Sequence, residues 1–344
     1  MKIDCIKLFK EQIPVSNINS ITSTSKTSSY FARFIKKFYW RDYVVYITFL
    51  VIFLIFSGSL YKMGFLSPNN LLNILRQTAT ISVMAVAMTF VLAAAEIDLS
   101  VGAVAGLASV TTAIIIGQFG IIAGILAGVL TGLLIGLLNG FLITKVGIPS
   151  FLVTLGMQGV ATGTAMWITK TAPIPIANET YTFIFGSGNV GIIPTLFIWT
   201  ILALLIGHAC LKSTPFGRQV LATGGNETAA RYSGINTKRI KYITFVIMSI
   251  VASLSGMLYA GRLHSGRFQW GQGDELSVIA AVVLGGTSLF GGKGSVIGTI
   301  IGAILIGLIN NGLILMGLEA SQQMIVRGAI IILAVALTGR KAQS

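Results

Sequence analysis

The chain has very little charge for its length. Asp, Glu, Lys and Arg make up only 10% of its 344 residues, whereas soluble domains carry roughly 25%. So few charged side chains cannot cover a water-facing surface, and 54% of the residues are hydrophobic, with a mean hydropathy of +0.86. The apolar residues form continuous runs rather than an alternating pattern, which argues against a membrane β-barrel. The composition therefore predicts an all-α, polytopic membrane helical bundle.

Residues that bind metals or form disulfides are also scarce. The two cysteines, Cys5 and Cys210, lie far apart in the sequence, and the two histidines, His208 and His264, are isolated. Neither pair has the spacing of a disulfide framework or of a metal-ligand cluster. We therefore expect no metal and no cofactor in this chain.

Nucleotide-binding motifs are incomplete. The segment Gly291 to Gly294 is close to a phosphate-binding loop, but position 287 is Thr instead of the first glycine, and Gly294 replaces the hydroxyl residue. The segment Gly186 to Gly191 fits Gly-x-Gly-x-x-Gly but lies in a loop before Pro194, so we interpret it as a turn. No catalytic group of side chains is convincing. The sequence predicts a protein that is not an enzyme and has no ATP site of its own.

The charges that are present are mainly positive, and the formal net charge is +14. In a soluble protein this balance would raise the question of nucleic acid. Here the basic residues flank the apolar runs, so they indicate orientation across a lipid membrane, and we expect no nucleic-acid partner.

We predict about ten membrane spans, since one span needs about 20 apolar residues. They divide the chain into a partly disordered N-terminal tail (1–42), a transmembrane domain (43–338) and a short C-terminal tail (339–344). The predicted spans are roughly 43–61, 77–95, 101–117, 121–144, 150–169, 192–211, 240–261, 276–291, 295–316 and 321–338. The third and eighth are short or broken by glycine, so either could be re-entrant.

The distribution of Lys and Arg predicts the orientation of these spans. With the N-terminus inside, eighteen of the 24 basic residues fall in inner segments and five in outer segments. This bias predicts a multi-pass protein of the plasma or inner membrane with both termini in the cytoplasm. It also predicts that the loop 212–239 is cytoplasmic.

Two acidic residues lie close to the inner end of the second predicted span, in the sequence Glu96-Ile-Asp98-Leu-Ser100. Ionised carboxylates at bilayer depth are costly, so they usually have a role. One interpretation is an ion or proton site that drives secondary transport. The interpretation we favour is a helix boundary, in which Ser100 or Asp98 caps the next span and water solvates both acids.

Three amides interrupt otherwise apolar spans: Asn139, Asn310 and Asn311. They could line a polar translocation pathway for a hydroxylated solute. They could equally form hydrogen bonds between helices, worth about 0.6 kcal/mol on average.

A short polar helix is predicted at 226–234, between two apolar spans. Asn226 is a suitable N-cap, Glu227 suits the positive end of the helix dipole, and Gly234 can supply the left-handed turn after the helix. Ala229 and Ala230 would give the helix a slim surface that fits a groove in a partner. The alternative is a plain amphipathic helix on the lipid surface. The candidate docking residues are Gly225, Asn226, Glu227, Ala229, Ala230, Arg231 and Gly234.

At these residues the chain resembles a known family. The pattern from Glu227 to Gly234 is similar to the coupling motif of ATP-binding-cassette importer permeases. Further motifs resemble the ribose-type sugar branch, which includes xylose, arabinose, galactoside and autoinducer-2 permeases. They are 97–102, 138–140, 148–156, 224–227 and 279–289, in chain order. One departure is Glu96, where many relatives have glycine.

The resemblance implies a type II importer-like permease fold and a division of labour. Two permease chains would form the pathway, and cytoplasmic ATPase subunits, which bind ATP and magnesium, would dock on the short helix. An extracytoplasmic solute-binding protein would deliver a sugar or a sugar-like polyhydroxy compound. The competing hypothesis is an ion-coupled secondary transporter that uses Glu96 and Asp98. The particular solute, and whether the two permease chains are identical, stay open.

Overall fold

The computed structural model describes residues 40–339, and these form a helical membrane bundle. The helices are α1 (Trp40–Ser59), α2 (Pro68–Ala93), α3 (Val101–Phe119), α4 (Ile121–Phe141), α5 (Ser150–Thr169), α6 (Glu179–Thr182), α7 (Thr195–Ser213), α8 (Pro215–Gly225), α9 (Glu227–Tyr232), α10 (Thr237–Arg262), α11 (Asp274–Leu284), α12 (Val296–Leu315) and α13 (Ala320–Gly339). A 3₁₀ turn covers Tyr61–Met63, and π-helical turns cover Leu142–Val146 and Phe183–Ser187. The predicted tail 1–39 and the last five residues, 340–344, lie outside the described residues.

Strands are minimal in this part of the chain. The two-residue strands β1 (Ile174–Pro175) and β4 (Ser265–Gly266) pair antiparallel, and β2 (Asn189–Val190) pairs with β3 (Ile193–Pro194). Both pairs lie in the connections between helices, so they tie loops together and form no sheet core.

Seven of the described helices are long and apolar enough to cross a membrane: α2, α3, α4 with its π-helical extension, α5, α7, α10 and α12. The predicted membrane bundle is therefore confirmed, but the count of ten spans is not. The other three predicted spans correspond to α1, α11 and α13.

The second predicted span begins earlier than its apolar run. Ser67 accepts a hydrogen bond from the Asn70 amide, and Pro68 occupies the first helical turn, so α2 starts at 68 instead of 77. The polar residues at 69–77 are thus the first turns of a spanning helix.

The eighth predicted span is the largest departure. Instead of one helix at 276–291, α11 has 11 residues and ends at Leu284. At 1.5 Å per residue it is roughly 16 Å long, about half of the hydrocarbon thickness of a bilayer. The preceding residues, 263–273, are largely non-helical and run back along α3. Gly266 packs against Ser109, and Gly271 packs against Gly102. Backbone without helical hydrogen bonds is tolerated at this depth because it is enclosed by protein.

The interior of the bundle is formed mainly by α2, α3, α10 and α12, which are mostly buried, whereas α4, α5 and α7 expose most of their length. Small residues bring the central helices into contact. Gly132 of α4 leaves room for Ser249 and Ser253 of α10, where any Cβ atom would overlap their backbone and side chains.

At one end of the bundle, two segments contact the last turn of α2. The Ala93 carbonyl accepts a hydrogen bond from the Gly292 amide at 3.0 Å. Gly224, in the last turn of α8, packs directly on the same carbonyl group. The polar loop from α8 to α10 therefore lies against the end of a central, buried helix.

Candidate functional site

The short helix predicted at 226–234 is α9, six residues long. The Asn226 side chain accepts a hydrogen bond from the Ala229 amide at 2.9 Å, and Gly234 has φ +83°. The predicted cap and the predicted left-handed turn are both confirmed. The preceding helix, α8, begins in the same way, with Thr214 as cap and Pro215 in the first turn.

One face of α9 is seated on the protein and the other is exposed. Ala230 is buried, while Ala229 is exposed. The prediction that both alanines form an outer surface is therefore wrong for Ala230, because successive helical residues point about 100° apart. The most exposed large side chain of the helix is Tyr232, at 91%. The helix therefore presents this ring and Ala229 on the side that the protein does not cover.

Glu227 holds α9 in place through a group of polar contacts. Its Oε1 accepts from Arg231 at 2.6 Å and from the Thr237 hydroxyl at 3.1 Å, and its Oε2 accepts from Lys241 Nζ at 2.8 Å. The hydrogen bond from Lys241 is the main cause that lowers the pKa of Glu227 to about 2, with smaller contributions from Arg231 and Thr237 and an opposing effect of partial burial. Glu227 therefore stays ionised at any physiological pH.

The same lysine also binds Glu96. Lys241 Nζ lies 2.7 Å from Glu96 Oε1, and both side chains are mostly buried, at 15% and 13% exposure. One amine thus joins two carboxylates from segments more than a hundred residues apart in sequence. The expectation that water solvates Glu96 is wrong, since an ammonium group satisfies it.

Asp98 has a different environment from Glu96. It is fully buried, and its Oδ1 accepts from the Ser100 amide at 2.8 Å and from the Ser100 hydroxyl at 2.6 Å. Asn139 of α4 donates to that hydroxyl at 3.2 Å. The expectations that water solvates Asp98 and that either side chain caps α3 are wrong: Ser100 precedes the helix without a side-chain capping bond. The Asp98–Ser100 pair instead fixes a non-helical turn inside the bundle.

The three candidate pathway amides have separate positions. Asn139 is buried against Ser100, as described above. Asn311 and Asn70 exchange two hydrogen bonds, at 3.0 and 2.9 Å, so Asn311 joins α12 to α2. Asn310 lines a cavity of about 200 Å³. The other polar side chains around this cavity are Gln77, Thr78, Tyr259, Arg262, Asp274 and Gln323. Among the three, Asn310 has the environment that suits a polar solute.

Three residues of the site were missed by sequence reasoning: Tyr232, Thr237 and Lys241. Tyr232 lies inside the predicted helix, but its exposure depends on how α9 is seated. Lys241 is one of the basic residues that the distribution of Lys and Arg places in inner segments, and no local spacing rule connects it to Glu96. Only the packing of α10 against both segments reveals its two partners.

Residues 70–335 match the protein family described as "Branched-chain amino acid transport system / permease component". The chain is 42% identical over 290 residues to a ribose import permease protein of Bacillus subtilis (strain 168), which covers 84% of this chain and 90% of that protein. It is 38% identical over 283 residues to a ribose import permease protein of Escherichia coli (strain K12), with 81% and 88% covered. It is 35% identical over 301 residues to an L-arabinose transport system permease protein of the same strain, with 86% and 90% covered. No solved structure matches the chain at a significant level.

Proposed function

The chain belongs to this family of transport-system permease components, and from that premise we propose that it is the membrane subunit of an importer for a sugar or a sugar-like polyhydroxy solute. The relatives named above import ribose or L-arabinose by their names, which supports a pentose-sized solute. The polar cavity around Asn310 supports passage of a hydroxylated molecule. An ion-coupled mechanism lacks support, because the family and the relatives named above are permease components of import systems and Glu96 is ion-paired with Lys241.

The observation that carries the proposal is the exposed face of α9. Tyr232, Ala229 and part of Glu227 face solvent, on a helix whose other side lies against the bundle. We propose that this face, with Gly225, Asn226, Arg231 and Gly234 around it, docks a cytoplasmic ATPase subunit. That subunit would bind ATP and magnesium, and its nucleotide cycle would drive transport. In this arrangement the termini and residues 212–239 are cytoplasmic.

The other proposed partners are an extracytoplasmic solute-binding protein and a second permease chain. Support for the second chain comes from α5, where Gly156, Gly159 and Gly163 lie on the exposed side with open space before them. Small residues on a lipid-facing helix allow another helix to approach closely. Native mass spectrometry of the complex extracted from membranes would show two permease chains. A complex with a single permease chain would contradict this part of the proposal.

Truncation of Tyr232 tests the docking proposal. We expect Tyr232→Ala to weaken binding of the ATPase subunit at least about fivefold, because tyrosine is enriched among the few interface residues whose truncation costs more than about 1 kcal/mol. The measurement is the dissociation constant of the purified ATPase subunit for the permease in lipid nanodiscs.

Tyr61→Ala is the matched control, since Tyr61 is 69% exposed but lies in the 3₁₀ turn before α2, away from α9. The control should bind the ATPase as the unmodified chain does. Equal binding by the Tyr232→Ala variant would overturn the docking proposal.

A further inference from the structure

Lys241 connects two segments that otherwise belong to different parts of the protein. Its Nζ contacts Glu227 of α9 at 2.8 Å and Glu96, which follows α2, at 2.7 Å. We propose that Lys241 is a positioning residue that transmits a displacement of α9 to residues 94–100. The inference rests on the proposed function, because it assumes that a partner moves α9.

On the first side of this link, α9 depends on its surroundings for stability. A helix of six residues does not form alone in water. Glu227 attaches it to the start of α10 through Thr237 and Lys241, and Ala230 is the residue of the helix that is buried. A push on the exposed face of α9 therefore acts on Glu227 and, through it, on the Lys241 amine.

On the second side, Glu96 belongs to a non-helical segment in contact with three spanning helices. The Ile97 and Leu99 amides donate to Ser150 and Thr154 of α5, at 3.3 and 3.1 Å. Ser100 leads into α3 and accepts from Asn139 of α4. A shift of Glu96 would therefore reach α3, α4 and α5 through directly bonded neighbours.

The backbone of this segment begins with a left-handed residue at the end of α2. Ala95, next to Glu96, has φ +61°, a left-handed conformation that costs a non-glycine residue about 1 kcal/mol or more. Hydrogen bonds of the helix end hold this conformation, since the Ala95 amide donates to the Leu92 carbonyl at 2.9 Å and the Glu96 amide donates to the Val91 carbonyl at 3.1 Å. Glu96 is therefore attached to the last turn of α2, and a displacement of its side chain by Lys241 acts on the end of that helix.

The charges around Lys241 indicate how docking of the ATPase on α9 would act on the ion pair between Lys241 and Glu96. Glu96 and Glu227 face Lys241 and Arg231, so the group is neutral as it stands. Glu227 is one third exposed, while Glu96 is mostly buried. A basic group of the partner would compete for Glu227, and Lys241 would then bind Glu96 alone. Because Lys241 and Glu96 are shielded from water, this ion pair is screened less than a surface pair.

A second attachment keeps the site folded when the charges are removed. Gly224 packs on Ala93, and the Gly292 amide bonds to the Ala93 carbonyl. Variants of Lys241 and Glu96 should therefore keep α8 and α9 beside α2, which makes them suitable for functional tests.

The experiment compares Glu96→Gln, Lys241→Gln, the double variant and Lys241→Arg in nanodiscs that contain the complete complex. We expect Glu96→Gln to bind the ATPase within about twofold of the unmodified chain, because Glu96 follows α2 and is not part of α9. Stimulation of ATP hydrolysis by the solute-loaded binding protein should fall about tenfold, within the usual range for coupling between two sites. When Lys241 is already Gln, adding Glu96→Gln should cause no further loss of stimulation. Lys241→Arg keeps the positive charge, so it should retain more of the stimulation than Lys241→Gln does.

Lys238→Gln is the matched control, because it removes the same charge from an exposed position three residues earlier on the same helix. It should leave stimulation unchanged. The proposed role of Lys241 would be overturned if the Gln variants kept full stimulation of ATP hydrolysis. It would also be overturned if the losses of the single variants multiplied in the double variant, or if stimulation fell only in variants with a lower melting temperature. If Tyr232→Ala leaves ATPase binding intact, the docking proposal fails first, and the role of Lys241 falls with it.

Discussion

Glu227 satisfies both of its carboxylate oxygens within its own chain, and this explains its depressed pKa. The value of about 2, against an ordinary value of 4.5, means that the ionised form is favoured in the folded protein. A depressed pKa contributes stability that is present above about pH 4.5 and is lost as the pH falls from there towards 2. The contribution is modest, because water reaches a third of the side chain.

We predict that Glu227→Gln lowers the melting temperature at pH 6 and that this difference shrinks at pH 3. At the lower pH the carboxylate of the unmodified protein no longer has its full advantage over a neutral amide. Thermal unfolding in nanodiscs across this pH range measures the effect. A difference that is as large at pH 3 as at pH 6 would show that ionisation of Glu227 is not what stabilises α9.

Asn310 and Asn311 are adjacent in sequence but have different surroundings. Asn311 exchanges hydrogen bonds with Asn70, while Asn310 faces the polar cavity. We predict that Asn311→Leu destabilises the protein by about 1 kcal/mol without changing uptake per folded molecule. Asn310→Leu should reduce uptake with little change in melting temperature.

The Asn70→Leu and Asn311→Leu double variant is the control for the amide pair. It should be less destabilised than the sum of the two single variants, because no buried amide is then left without its partner. Uptake of radiolabelled pentose and thermal unfolding separate the two roles. Loss of uptake in Asn311→Leu at unchanged stability would contradict our assignment.

At the scale of elements, the contact between the last turn of α8 and the last turn of α2 depends on glycine. A Cβ atom on Gly224 would overlap the Ala93 carbonyl, whereas one on Gly225 would meet only the Gly292 Cα, at an ordinary 3.6 Å. Both residues lie at the end of α8, so an alanine substitution at Gly225 is a matched control for the same substitution at Gly224.

We predict that Gly224→Ala displaces α8 from α2 and lowers the melting temperature, with a destabilisation of about 1–3 kcal/mol, typical of overpacking. Gly225→Ala should be neutral or slightly stabilising, because alanine favours the helix more than glycine does. Equal melting temperatures for the two variants would contradict the contact described here.

The elements also show how far the sequence could predict the fold. The ends of α8 and α9 were predictable, because Thr214, Pro215 and Asn226 act on backbone groups within three residues. The length of α11 was not, because an apolar run looks the same whether lipid or protein surrounds it. Gly285 and Gly286 marked a break at that point, but only the fold shows that 263–273 descends along α3 in place of a longer helix.

At the scale of the whole molecule, the chain is a multi-pass membrane permease. The short helix α9 is attached to the start of α10 and, through Lys241, to the segment that follows α2. Long-range contacts such as Glu96 with Lys241 could not be predicted, since they depend on how α2 and α10 pack. The short helix α9 itself could be predicted, because its caps and its position between two apolar spans are local features. Its orientation towards the cytoplasm stays a prediction from the distribution of basic residues.

The most direct test places a photo-crosslinking amino acid at position 232 and, separately, at position 61, in cells that contain the complete transporter. After irradiation, mass spectrometry identifies the protein attached to each position. Our account predicts that position 232 attaches to the ATPase subunit and that position 61 does not. Attachment of position 232 to the extracytoplasmic solute-binding protein, or of position 61 to the ATPase, would contradict it.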